Sequence, residues 1–143
     1  GYRKMVIING HGGNTFKSII RDLSLDYPDF LIASSEWFAF VPAKEYFDEP
    51  GDHADELETS VMMHYHPELV NLDEAGNGDY KKFTSQMLNE KVAWIPRNWQ
   101  KVSQDTGIGN PQKASAGKGK KYAEAVVAKY ALLFEELVHK ELY

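Results

Sequence analysis

The stretch Met5–Ala33, "MVIINGHGGNTFKSIIRDLSLDYPDFLIA", decides the fold. Met5-Val6-Ile7-Ile8 is a short, continuous apolar run of strand length with β-branched members, as expected of a strand buried on both faces. Asn9 to Gly13 is turn chemistry, and Asn14 can cap a following helix. Phe16, Ile19, Ile20 and Leu23 recur at i, i+3, i+4 and i+7, which predicts an amphipathic helix that ends before Pro28. Phe30–Ala33 supplies a second strand. Strand, helix and strand within about 30 residues form a βαβ unit, so the two strands should be parallel and joined by a right-handed crossover.

Downstream, "SSEWFAFVPAKEYF" (Ser34–Phe47) reads as a strand end followed by a loop reaching about Gly51. "DHADELETSVMMHYHPELV" (Asp52–Val70) predicts a helix with Leu57, Val61 and Tyr65 on one face. Asp52 is its expected N-cap, and Asp55, Glu56 and Glu58 lie in its first turns, where acids suit the helix dipole. His66-Pro67 closes it. Residues 71–110 are polar and irregular, with one short helix expected near Phe83–Leu88, and "TGIGNP" reads as a loop. Ser115 should cap a long final helix that buries Tyr122, Val126, Tyr130, Leu133 and Leu137. With no repeat and no linker, residues 1–143 read as a single domain of the α/β class.

Composition narrows the chemistry. A net charge of −5 argues against nucleic acid as the main partner, since proteins that track phosphates usually carry a basic excess. The chain has no cysteine, so any metal must be held by His, Asp or Glu, and no thiol can act as nucleophile. No apolar run reaches the length of a membrane span. These features fit a globular protein, and the expected location is cytoplasmic.

Two stretches could carry chemistry. His11 sits just past the carboxyl end of the first strand, where parallel sheets collect ligands, and Gly12 and Gly13 allow a close backbone approach. The competing reading is a turn histidine bonded within its own loop. The turn is not a phosphate loop, because it lacks both the GxGxxG spacing and a Gly-Lys-Ser/Thr ending. In "DHADELETS" (Asp52–Ser60), His53 stands among Asp52, Asp55, Glu56 and Glu58. This nitrogen- and oxygen-rich set suits Zn, Mn or Fe. Asp52 beside His53 could hold the imidazole in one tautomer. On a helix His53 and Glu56 share a face and Glu58 points elsewhere. The competing reading is an acidic helix start with a surface histidine. His64 and His66 suit the dipole of a helix end. Lys113, Lys118, Lys120 and Lys121 read as solvated lysines, although cations near a helix N-terminus favour an acidic partner. Trp94 and Trp99 read as core or subunit-contact aromatics, with substrate stacking as the lesser alternative.

"NGHGGN" after a strand, with "HADELETS" about 40 residues later at a helix start, resembles the creatininase family of creatinine amidohydrolases and their relatives. "GIGNPQKASAGKGKKYAEAV" (Gly107–Val126) is similar to that family's C-terminal run into the last helix, and "SEWFAF" places Trp37 where creatininase has an aromatic at the mouth of its site. The resemblance implies a three-layer α/β/α sandwich with a mostly parallel sheet, often assembled as a homo-hexamer, and a metal-dependent amidohydrolase. Its substrate would be a small molecule with a non-peptide or cyclic C–N amide bond, other than creatinine. It implies His11 as a metal ligand, His53 as the proton-shuttling histidine and Asp52 as its supporting acid. Relatives with "NGHGGN" lack a carboxylate at the position of Gly13, and Glu56 is the candidate to replace it. Gly12, Gly13, Trp37 and Glu58 would line or support the site. The divalent metal would be Zn, Mn or Fe, in a dinuclear centre in the complete protein.

Two features depart from the family pattern. Asp55 stands where the family usually has glycine, and could crowd the site, add a charge or point outward. The E-x-H pair and bridging aspartate of the family's upstream segment are not in this sequence, so the first strands of the sandwich and several ligands are expected to be missing. The alternative is therefore a truncated or degenerate homologue that keeps the fold and oligomer contacts without activity. A nucleotide-binding module ranks lower still.

Overall fold

The computed structural model describes residues 1–142. Strand β1 (Lys4–Asn9) is followed by helix α1 (Lys17–Asp26) and strand β2 (Leu31–Glu36). The strands pair in parallel, Lys4 opposite Leu31 and Asn9 opposite Glu36. The βαβ reading therefore holds, and helices pack on both faces of this small parallel sheet in an α/β/α arrangement. Helices α2 (Glu56–Tyr65), α3 (Gln86–Asn89), α4 (Trp99–Val102) and the long α5 (Ala116–His139) complete the order.

The described chain divides into two compact units. One comprises Gly1–Pro42 and the chain from Glu124 onward, the other Ala43–Ala123. In the first unit, Ser35 Oγ and Tyr130 Oη of α5 lie 2.9 Å apart, and the Phe40 and Tyr130 rings pack with centroids 4.1 Å apart and planes tilted by 32°. Lys4 Nζ donates to the Leu137 carbonyl. Burial of β1 on both faces is not observed: Met5 and Ile8 remain 44% and 53% exposed. A sheet of two strands leaves an edge and part of a face without neighbours, so an apolar run suited to a wider sheet stays partly open here.

In the second unit the core is built on Tyr122, which is fully buried, with Phe47, Leu57 and Ile108 also buried. The Tyr122 ring meets Tyr46 edge-on at 5.4 Å and Phe47 at 5.2 Å. Burial pushes its phenol up to about 12, with Asp55 and Tyr46 adding to the rise. The start of α5 crosses α2 very closely. A Cβ placed on Gly119 would sit 1.9 Å from the Ser60 carbonyl oxygen, so only glycine permits this approach. Ser60 is itself fully buried, and its Oγ accepts the Ser115 N–H at 3.1 Å.

Several boundaries differ from the sequence reading. Phe16, not Asn14, occupies the position before α1, because the Asn14 amide is turned back to Asn9. Helix α2 is capped by Asp55 rather than Asp52. Tyr65, the last residue of α2, is 55% exposed rather than on a buried face. The short helix expected at Phe83–Leu88 lies at Gln86–Asn89, and α4 falls within the stretch that reads as irregular. Ser115 does cap α5, accepting the Lys118 N–H at 3.3 Å.

Candidate active site

The first unit carries His11, Gly12, Gly13 and Trp37 at the carboxyl ends of β1 and β2, the end of a parallel sheet where ligands bind. Asn9, buried at the last position of β1, organises the turn. Its Oδ1 accepts the His11 N–H at 3.1 Å and the Asn14 side-chain amide at 3.2 Å, while the Asn14 N–H reaches the His11 carbonyl at 3.1 Å. The His11 backbone is thus fixed and its imidazole is exposed. A Cβ on Gly13 would lie 2.8 Å from His11 Nε2, so the imidazole occupies the space that a side chain at position 13 would need. Trp37 is half-buried and packs edge-on against Phe38 at 6.1 Å.

The second unit carries Asp52, His53, Glu56 and Glu58. His53 is clamped through its backbone in an antiparallel bridge to Ile108: His53 N–H donates to the Ile108 carbonyl at 3.1 Å, and Ile108 N–H to the His53 carbonyl at 2.8 Å. Its ring lies 5.1 Å from the Trp99 ring, tilted by 58°. Its Nδ1 is 3.9 Å from Glu58 Oε2, and its side chain is 36% exposed. The next residue, Ala54, adopts φ +49°, a left-handed conformation unusual for a residue with a side chain. The Ala54 N–H donates to Glu58 Oε2 at 2.7 Å, which holds that conformation.

Asp52 does not reach His53. Its backbone N–H donates to the Ile108 carbonyl at 2.7 Å, and its carboxylate pairs with Arg97, whose guanidinium lies 5.1 Å from the Trp99 ring centroid. Asp55 is buried. Its carboxylate accepts the Glu58 N–H at 2.9 Å and the Gly51 N–H at 2.5 Å, so it caps α2 rather than pointing outward.

Glu56 is fully buried and both of its carboxylate oxygens are engaged, one by the Glu49 N–H at 2.6 Å and the other by Lys118 Nζ. Lys118 also pairs with Asp48 at 2.9 Å, and Lys113 with Glu49 at 2.8 Å. Glu56 and then Asp48 hold the Lys118 ammonium above its ordinary value. Lys118 and Lys113 in turn hold Asp48 and Glu49 below theirs. The acidic partner that these lysines call for is therefore internal.

A divalent metal places different demands on these residues. His11 fits, as an exposed imidazole on a fixed backbone. Glu56 does not fit in this conformation, because neither of its oxygens is available, and no group of three or more potential metal ligands occurs among the described residues. Asn9, Arg97, Trp99 as a neighbour of His53, and Lys118 as a partner of Glu56 escaped the sequence reading. The lysine at a helix N-terminus was the one available hint.

The family model for creatininase (creatinine amidohydrolase) matches residues 1–134. A chain from Bacteroides fragilis NCTC 9343, provisionally named a creatinine amidohydrolase, is 58% identical over the whole of this chain, with a TM-score of 0.95 and 57% of its own length covered. The crystal structure of creatininase itself is 22% identical, with a TM-score of 0.75 over 99% of this chain and 58% of that one, a likeness of fold. The mycofactocin precursor peptide peptidase of Mycobacterium ulcerans is 30% identical over 128 residues, which are 86% of this chain and 45% of the relative. The chain thus spans about half the length of these relatives.

Proposed function

The chain belongs to the creatininase family, and from that premise we propose that the protein is an amidohydrolase that cleaves a C–N amide bond of a small, non-peptide or cyclic substrate other than creatinine. The observation that carries this reading is His53. Its backbone is clamped by Ile108, its ring is flanked by an aromatic and a carboxylate, and its edge stays accessible. An accessible imidazole of this kind can take a proton from an attacking water and return it to the leaving nitrogen. Trp37 and Gly12, at the carboxyl ends of the strands, are the candidates to line the substrate side.

Dependence on a divalent metal (Zn, Mn or Fe, in a dinuclear centre), assembly into a homo-oligomer of hexameric type and a cytoplasmic location belong to the same proposal, on the strength of the family. His11 is the ligand on this chain that fits a metal. Glu56 could serve only if released from Lys118, and no reaction step is assigned to it. Asp52 as the acid supporting His53 requires release from Arg97. Among the described residues no helix is long and apolar enough to cross a membrane.

A second substrate class is favoured by the 30% identity to a relative named as a peptidase of a precursor peptide. The two are separated by assaying the purified protein, supplied with Zn²⁺ or Mn²⁺, against lactams, formamides and short peptides. Release of amine from the first two classes supports the small-amide reading. Release from peptides alone replaces it with the second. Turnover of none, with no divalent metal bound, contradicts both.

A further inference from the structure

We infer that Glu58 and Trp99 are the positioning residues of the His53 imidazole, the part that sequence order assigns to Asp52. The inference deepens the proposal that His53 moves the proton, and rests on it. Three observations in the second unit converge. Glu58 Oε2 holds the Ala54 N–H at 2.7 Å, which pins the left-handed residue next to His53. The same oxygen lies 3.9 Å from His53 Nδ1, a separation that one water or a small ring rotation closes. Trp99, the first residue of α4, sets its ring 5.1 Å from the imidazole and limits rotation about the side-chain bonds.

Asp52 is adjacent to His53 in sequence but is turned away. Its carboxylate is taken by Arg97, whose guanidinium lies near Trp99. Arg97 therefore separates the two carboxylates by role: it pairs with Asp52, and the carboxylate within 4 Å of the imidazole is that of Glu58. A carboxylate near Nδ1 favours the tautomer with its proton on Nδ1, which leaves Nε2 free to accept a proton from water. The aromatic neighbour keeps that nitrogen in one direction.

The test uses the intact protein labelled with 13C at histidine Cε1. Its five histidines give few signals, and His53→Gln identifies the one that belongs to His53. Trp99→Leu should shift that signal and leave the other four in place, and Trp99→Phe should restore most of the shift. Glu58→Gln keeps an amide oxygen for the Ala54 N–H but removes the charge, so it should move the His53 signal while the fold persists by circular dichroism. In turnover on a responsive amide, both Trp99→Leu and Glu58→Gln should lower kcat by about 10- to 100-fold, part of what a positioned acid–base group supplies, with KM little changed. A His53 signal that ignores both changes, or that moves instead with Asp52→Asn, overturns the inference. Signals that move as expected in a protein that hydrolyses no amide support the positioning and overturn the hydrolase reading.

Discussion

The two histidines singled out in this chain, one in each compact unit, are held in opposite ways. His11 stands on a turn whose backbone is fixed by the buried Asn9, yet the residue is exposed and its ring lies beside Gly13. His53 is fixed at both levels, its backbone paired to Ile108 and its ring bracketed by Trp99 and Glu58. A ring held only through its backbone is suited to being fixed by what it binds. A ring already held by neighbours is suited to a proton transfer that needs one direction and one tautomer. Under the proposed function, ligand duty would fall to the first and acid–base duty to the second.

The contrast breaks most visibly at His53 itself. His53→Ala should cost about 10²- to 10⁴-fold in kcat, the usual worth of a positioned acid–base group, with the thermal midpoint little changed. A loss of similar size in stability instead would make His53 a packing residue. The scaffold under it is next. Gly119→Ala forces a methyl into the Ser60 carbonyl, and chemical denaturation should show a loss of about 1–3 kcal/mol. Glu56→Ala removes a fully buried carboxylate that holds the Glu49 amide, and should cost about 2 kcal/mol. If Glu56 were a metal ligand alone, the loss would appear in metal content and not in the metal-free protein.

A smaller effect comes from pH. Asp105 is held below its ordinary value, first by the Gly107 N–H and then by Ser103, in the loop that leads to Ile108. Asp48 and Glu49 are lowered by Lys118 and Lys113. Folded values below the ordinary 3.8 and 4.5 mean that these groups stabilise fully above those values and lose their contribution as pH falls through the depressed ones. Lys113 and Lys118 are raised above 10.5, so their contribution is complete below that value and fades as pH climbs past it. Thermal midpoints should therefore stay level across the neutral range and fall at both extremes, and 0.5 M salt should flatten part of the change because the pairs are largely exposed. Smallest of all is the cost of His11→Ala to the metal-free fold, within about 0.5 kcal/mol for an exposed side chain, against a marked drop in bound Zn²⁺.

The fold was legible because its signals are local. An apolar run, a glycine turn and a 3.6-residue period in Met5–Ala33 determine two parallel strands without help from the rest of the chain. Exposure of Met5 and Ile8 was not legible, since it depends on how many strands flank β1. At the site, the residue types in "DHADELETS" could be read, but not their partners. Asp52 reads as the partner of His53 because it is adjacent, and Glu56 reads as a ligand because the family resemblance leaves Gly13 without a carboxylate. Both are decided by residues far along the chain, Arg97 for one and Lys118 for the other. Side-chain pairing over 45 and 62 positions leaves no periodic trace. The three options that the sequence offers for Asp55 do not include the buried cap it forms, which depends on the turn at Gly51.

One experiment sets the two histidines against each other directly. In the intact protein labelled at histidine Cε1, Zn²⁺ is added stepwise while the signals of His11 and His53 are followed. A ligand role for His11 predicts that its signal moves and saturates, while the His53 signal keeps the position given by its Trp99 neighbour. A His53 signal that responds first, with His11 unmoved, would contradict it.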